Sequence, residues 1–165
     1  MKVKIAKSAG FCFGVEHAVM IANQIALEHK SDDARKLFML GNIVHNETVI
    51  ADLVSKGFEI IEKADDATPD SIVIIRAHGI TPDQRQILVS KRCEVVDCTC
   101  PFVDKIHKIV AKAASEGRNV IVTGTKGHPE VEGICGEACD VKVDVISSVS
   151  EVQSLNIEPQ NTILI

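Results

Sequence analysis

The feature that most constrains the fold is an alternation between short runs of branched apolar residues and longer segments with helical periodicity. Short apolar runs are typical of strands that are buried on both faces, and strands separated by helices pair in parallel. The predicted strands cover residues 37–40, 58–61, 72–75, 94–97, 120–122, 141–146 and 161–165. The sequence therefore predicts an α/β protein with repeated open, mostly parallel sheet units flanked by helices.

The segments between these runs carry apolar residues three and four positions apart, which is typical of helices that bury one face. The polar residues 30–33 predict the end of the first helix, and Pro82 suits the first turn of another. The other predicted helices cover residues 14–29, 47–56, 101–115, 133–138 and 149–155.

A cysteine stands at two of the predicted strand-to-helix joints. Cys100 follows a strand, with Thr99 as a candidate helix cap and Pro101 suited to the first turn. Cys12 occupies the same setting near the start of the chain, between two glycines that permit a tight turn. The amides at a helix N-terminus favour a thiolate, which binds metal or attacks electrophiles. An inert, buried cysteine is the alternative at each joint.

Three histidines follow predicted strands, namely His45, His78 and His128. A glycine lies four residues before His45 and another lies four residues before His128. Each glycine ends a strand, and each strand follows a helix that begins at a cysteine, so the spacing predicts an internal duplication. Ligands of open α/β sheets lie at the carboxyl ends of the strands. We therefore expect the three imidazoles to converge on one cleft with Cys12 and Cys100.

Composition excludes several classes of function. The chain has 165 residues, 45% of them apolar, a net charge of −5 and no Trp or Tyr. Without a cluster of Lys and Arg, this balance argues against a nucleic-acid surface. An apolar leader and a run long enough to span a bilayer are both missing, so we expect no membrane association and a cytoplasmic location. Six cysteines in a reducing compartment should be free or bound to metal.

The thiols and imidazoles leave more than one chemistry open. No CxxC pair precedes a second CxxC or an HxxxH at finger-like spacing, so a local structural zinc site is not indicated. An iron–sulfur cluster can take ligands from separated loops. The imidazoles and helix N-termini could hold a phosphate-like anion, although the chain has no P-loop motif. Glu130 lies beside the third histidine in a predicted loop and could carry protons.

Five motifs occur in an order that resembles one family across essentially the whole chain. They are Gly10-Phe11-Cys12-Phe13-Gly14-Val15, His45-Asn46, Arg76-Ala77-His78-Gly79, Thr99-Cys100-Pro101 and Gly127-His128-Pro129-Glu130-Val131. In this arrangement the chain resembles 4-hydroxy-3-methylbut-2-enyl diphosphate reductase, the last enzyme of the non-mevalonate isoprenoid pathway.

The resemblance implies a set of roles for these residues. Cys12 and Cys100 match two of the three cysteines that hold a [4Fe–4S] cluster, and the third is expected beyond residue 165. His45, His78 and His128 match the residues that bind the diphosphate of the allylic substrate, and Glu130 matches the proton relay. The family removes the allylic hydroxyl reductively and forms isopentenyl and dimethylallyl diphosphates. Its electrons come from an external donor, for which we expect a ferredoxin- or flavodoxin-like protein.

The resemblance also implies a division of the chain, since the family has three α/β units in a pseudo-threefold set. Residues 1–13 would form a strand that packs with a third unit not present here, residues 14–97 the first unit, and residues 98–165 an incomplete second unit. We expect such a fragment to be inactive alone. The rival hypotheses are a zinc-stabilised binding module and a regulatory phosphate-binding domain, neither of them catalytic.

Overall fold

The computed structural model describes residues 2–7, 9–29 and 35–165. It confirms the predicted fold class, because parallel sheets are flanked by helices and every described strand pair is parallel. The predicted end of the first helix at residues 30–33 lies outside the described residues.

The first sheet has four strands in the order β2-β1-β3-β4. Its strands are β1 (Leu37–Leu40), β2 (Phe58–Ile61), β3 (Ile72–Ile75) and β4 (Glu94–Asp97). Its helices are α1 (Phe13–Glu28), α2 (Glu47–Ser55) and α3 (Pro82–Ser90). Three alanines of α1 pack on one face of the sheet, and Leu88 of α3 packs on the other. Burial on both faces explains why β1 and β3 are apolar throughout.

The second sheet has three strands in the order β6-β5-β7. Its elements are α4 (Pro101–Ser115), β5 (Asn119–Thr123), α5 (Pro129–Gly136), β6 (Val143–Ile146), α6 (Val149–Val152) and β7 (Thr162–Leu164). The first strand in sequence is central in this sheet, as β1 is between β2 and β3 in the first sheet. The two halves therefore share one strand order, which agrees with the predicted duplication.

The registers bring the ends of the strands to one edge of each sheet. Leu40 pairs with Ile61 and Ile75, and Ile75 pairs with Asp97. The loops that carry His45 and His78 therefore leave the first sheet at the same edge.

Two local predictions are wrong. The helix predicted at 133–138 begins at Pro129, because proline suits the first helical position and His128 caps it. Thr99 does not cap α4; Cys100 holds the cap position, while the Thr99 hydroxyl donates to the Asp97 carboxylate at 2.5 Å. Residues 2–7 are exposed and are not assigned to a strand; the packing of residues 1–13 with a third unit stays a prediction. Among the residues described, no helix combines the length and apolar character needed to cross a membrane.

Candidate functional site

Three histidines, here called the histidine cluster (His45, His78 and His128), lie together. Their nearest nitrogens are within 4.8 Å of one another. The ring centroids of His45 and His78 are 4.9 Å apart, and those of His78 and His128 are 5.5 Å apart. His45 comes from the loop after β1, His78 from the loop after β3, and His128 from the start of α5. The structure thus brings together the three imidazoles that the sequence placed after strands.

Local backbone geometry fixes the orientation of His128. It is the cap residue of α5, and its Nδ1 accepts a hydrogen bond from the Glu130 backbone N–H at 3.2 Å. An imidazole nitrogen that accepts a hydrogen bond carries no hydrogen, so the ring hydrogen of neutral His128 resides on Nε2. His128 therefore presents a hydrogen-bond donor without having to be charged.

The setting of His78 opposes its protonation. The pKa of His78 is lowered to about 4, chiefly by burial and then by repulsion from the neighbouring His45, Arg76 and His128. Its Nδ1 is buried and finds no hydrogen-bond partner among the described residues. The ring is therefore neutral at pH 7, and a bound anion would reverse the repulsion that keeps it so.

Arg76 adds a permanent positive charge to this neighbourhood. Burial lowers the pKa of its guanidinium, while the carboxylates of Glu62 and Glu132 raise it. The side chain crosses Gly41, where a Cβ would collide with Nη1, and Gly41 has a φ of +69° that favours glycine. Its Nε is buried without a hydrogen-bond partner in the described part of the chain. Arg76 belongs to one of the five motifs, but no role was predicted for it from the sequence.

The two joint cysteines lie at helix starts, and Cys100 is hydrogen-bonded through its backbone to the loop that carries His78. Cys12 is exposed and precedes α1, and Cys100 is partly buried and precedes α4. The Cys100 Sγ lies 2.8 Å from where a Cβ on Gly14 would be, so the thiol rests on the first turn of the helix that Cys12 begins. The Cys100 N–H donates to the carbonyl of Ala77 at 2.9 Å, one residue before His78.

This setting fits metal or cluster ligation by Cys12 and Cys100. In the described structure neither helix start is capped by a side-chain hydrogen bond, so the first amides remain available to a thiolate or sulfide. Glycine at position 14 leaves room for the Cys100 thiol that any side chain would take. The donor set is therefore suited to iron–sulfur chemistry, with two thiols in adjacent helix-start positions.

The other cysteines have different environments. Cys98 is fully buried among α1 and the first sheet, and burial with the nearby Asp97 raises its pKa to about 12. Burial and Glu132 also raise the pKa of Cys135. Cys139 lies beyond the end of α5 and donates to the Gly136 carbonyl. A thiol with a raised pKa is a poor ligand, so Cys98 and Cys135 act as apolar packing residues.

Glu130 lies in the first turn of α5, two residues after His128, and not in a loop as predicted. The side chain is partly buried. Its backbone N–H orients His128, as described above, so the residue is joined to the cluster through the main chain.

His107 was missed by the sequence analysis. It lies on α4 and is 8% exposed, and its Nδ1–H donates to the Glu137 carboxylate at 3.0 Å. Val103 and Val110 are buried on the same face of α4, so the signal was a polar residue within an apolar helical stripe.

Comparisons with known proteins show the family of the chain. The model of the family described as LytB protein matches residues 3–165. The chain belongs to the LytB protein family. It is 41% identical over 157 residues to the 4-hydroxy-3-methylbut-2-enyl diphosphate reductase of Thermoanaerobacter sp. (strain X514), covering 94% of this chain and 53% of that protein. It is 40% identical over 158 residues to the reductase of Campylobacter hominis, covering 95% of this chain and 54% of that protein.

Solved structures of LytB relatives show the same fold. The E-1-hydroxy-2-methyl-but-2-enyl-4-diphosphate reductase from Plasmodium falciparum superposes with a TM-score of 0.84 at 33% identity, covering 96% of this chain and 48% of that one. A structure of (E)-4-hydroxy-3-methyl-but-2-enyl diphosphate reductase, the terminal enzyme of the non-mevalonate pathway, gives a TM-score of 0.74 at 35% identity, covering 92% and 53%. The LytB chain described here spans about half the length of the curated relatives it matches.

Proposed function

We propose that this LytB chain forms the diphosphate-binding part, and two thirds of the cluster-ligand set, of a 4-hydroxy-3-methylbut-2-enyl diphosphate reductase. The single observation that carries the proposal is the convergence of His45, His78 and His128 beside Arg76 and the two helix-start cysteines. Its relatives carry the reductase name. The activity is the reductive removal of an allylic hydroxyl to give isopentenyl and dimethylallyl diphosphates.

The histidine cluster would bind the diphosphate group. His128 offers its Nε2–H, because Nδ1 accepts a hydrogen bond from the Glu130 amide. His78 gains a proton when the anion neutralises the repulsion from Arg76 and the other two histidines. The half-buried guanidinium of Arg76 supports the anion at longer range, since burial weakens screening by water.

Cys12 and Cys100 would hold a [4Fe–4S] cluster together with a third cysteine from the part of the relatives' length that this chain does not span. When bound, such a cluster supplies electrons one at a time and an iron site that can take the substrate oxygen. An external ferredoxin- or flavodoxin-like donor in the cytoplasm would supply those electrons.

Glu130 would deliver the proton that the departing hydroxyl needs. Its place in the first turn of α5 ties it to His128, so diphosphate binding and proton delivery depend on the same turn. A carboxyl group in a partly buried position is a suitable general acid when it lies within hydrogen-bond reach of the leaving oxygen.

For the domain organisation we retain the division into residues 1–13, 14–97 and 98–165 as part of the proposal. The four-stranded sheet falls within the second of these segments and the three-stranded sheet within the third. The exposed apolar side chains of Val3 and Ile5 support packing of the first segment against a further unit.

A metal-binding module without catalysis is the second candidate, since three imidazole nitrogens within 4.8 Å could hold a divalent ion. Binding through His128 Nε2 would move the ring hydrogen to Nδ1, where it would oppose the Glu130 N–H. The tautomer therefore favours an anion over a metal ion at the histidine cluster.

Anaerobic reconstitution and calorimetry test the proposal together. Iron and sulfide should be incorporated sub-stoichiometrically, because the third ligand is missing, with absorbance at about 400 nm, and both should fall further when Cys12 or Cys100 is changed to serine. Inorganic diphosphate should bind the chain, and His45→Asn, His78→Asn and His128→Asn should each weaken that binding, while His29→Asn, remote from the cluster, should not. A colourless protein that binds zinc but not diphosphate would contradict the proposal.

A further inference from the structure

The buried imidazole of His107 lies between two segments that carry the histidine cluster. Its Cε1 is 3.0 Å from where a Cβ on Gly79 would be, and Gly79 directly follows His78. The same atom is 3.1 Å from the corresponding position on Gly133, which lies one turn along α5 from Glu130. The ring therefore touches the His78 loop on one side and the helix begun by His128 on the other.

The two backbone positions that the His107 ring contacts are glycines, and the absence of side chains there makes the contact possible. A Cβ at Gly133 would also lie 3.6 Å from the carbonyl oxygen of His78, so α5 approaches the His78 loop through the backbone itself. A Cβ at Gly136 would meet the Thr81 methyl group at 2.8 Å. The His107 ring is a large group that contacts both backbones at this close approach and so contributes to their spacing.

Glu137 fixes the orientation of the ring. Its Oε1 is 3.0 Å from His107 Nδ1, and the two side chains are only 10% and 22% exposed. A hydrogen bond to a carboxylate in such a place is stronger than one in water and holds the ring in one rotamer. The His107 Nε2 is buried and has no hydrogen-bond partner among the described residues, so this side of the ring contributes van der Waals contact and no hydrogen bond.

We propose that His107, oriented by Glu137, is a positioning residue that holds the start of α5, and with it His128, beside His78. The proposal rests on the proposed function only in what the cluster binds, since the spacing of the rings is a property of the protein alone. Removal of the ring leaves a void between two close-packed backbones, and α5 moves to fill it. A diphosphate that contacts all three imidazoles at once needs them in the right relative positions, so a small displacement of His128 weakens its binding.

The first test is a double-mutant cycle between His107→Ala and Gly133→Ala. Each single change should weaken binding of inorganic diphosphate by about tenfold, the first by removing the ring and the second by adding a Cβ against it. In the double mutant the added Cβ has space, so the combined loss should be clearly smaller than the product of the single losses. Gly124→Ala, whose Cβ meets Val131 at 2.6 Å and not His107, should combine with His107→Ala multiplicatively. A multiplicative result in the Gly133 cycle would overturn the proposal.

The second test needs no ligand. Nuclear Overhauser effects between the His78 and His128 rings, whose centroids are 5.5 Å apart, should weaken in His107→Ala and in Glu137→Ala. Val110→Ala removes a fully buried side chain from the same helix and should lower stability without changing those effects. If His107→Ala fails to fold, Glu137→Ala and Gly133→Ala carry the test.

The outcomes separate the two proposals. Wild-type protein that keeps the inter-ring effects but does not bind diphosphate would contradict the proposed function alone. Unchanged inter-ring effects in folded His107→Ala, Glu137→Ala or Gly133→Ala protein would overturn the positioning role, whatever the wild type binds.

Discussion

Binding of inorganic diphosphate should take up a proton at His78. The pKa of this histidine is about 4 in the free protein, so about one ring in a thousand is charged at pH 7. A diphosphate held against the ring favours the imidazolium and raises that pKa. Between the free and bound pKa values, affinity should fall by up to about tenfold for each unit of rising pH; below about pH 4 this group contributes no slope.

Calorimetry at about pH 5.5, 6.5 and 7.5, in pairs of buffers with different ionisation enthalpies, measures both the affinity and the number of protons bound. Diphosphate itself ionises in this range, and His78→Asn serves as the matched control because ligand ionisation is the same for both proteins. The wild type should bind up to one proton more than the variant near neutral pH. Equal proton counts and equal pH slopes in the two proteins would refute the reasoning and leave His78 as a neutral contact.

Three further predictions concern stability and reactivity. The pKa of His78 in the folded protein lies below the ordinary 6.5, so the stability that its neutral ring contributes is fully present above about pH 6.5. Towards pH 4 this histidine should lower the free energy of unfolding by at most about 3 kcal/mol, as measured by urea unfolding. His78→Asn should remove that acid sensitivity. Gly41→Ala should destabilise the protein by about 1–3 kcal/mol more than Gly117→Ala, because the two share a positive φ but only Gly41 faces Arg76. Cys98 should resist a thiol reagent at about pH 8 while Cys12 reacts, and Cys98→Ala should leave cluster reconstitution unchanged; rapid labelling of Cys98 would contradict its burial.

Much of the fold was predictable because periodicity and helix signals agreed with each other. The apolar runs at 37–40 and 72–75 became central strands, and Pro82 and Pro101 began helices as expected. The start of α5 was misjudged because Pro129 was interpreted as part of a loop, whereas it occupies the first helical position after the cap residue His128.

The convergence of the three histidines followed from a topological rule, since loops after parallel strands leave one edge. Their roles, and those of Cys12, Cys100 and Glu130, remain proposals. The role of His107 could not be assigned from sequence, because its contacts come from two segments, the His78 loop and α5 with its C-terminal cap, that only the packed structure brings together. The tautomer of His128 likewise depends on a cap hydrogen bond, which spacing alone does not reveal.

The arrangement of strands has a consequence for the order of assembly during folding. Each sheet takes its strands from one continuous stretch, 37–97 or 119–164, so its contacts are fairly local and can form early. His45 and His78 belong to the first stretch, whereas His128 belongs to the second. Anion-binding competence should therefore arise only when the two halves dock, after most secondary structure is in place, and it should be the first property lost on warming.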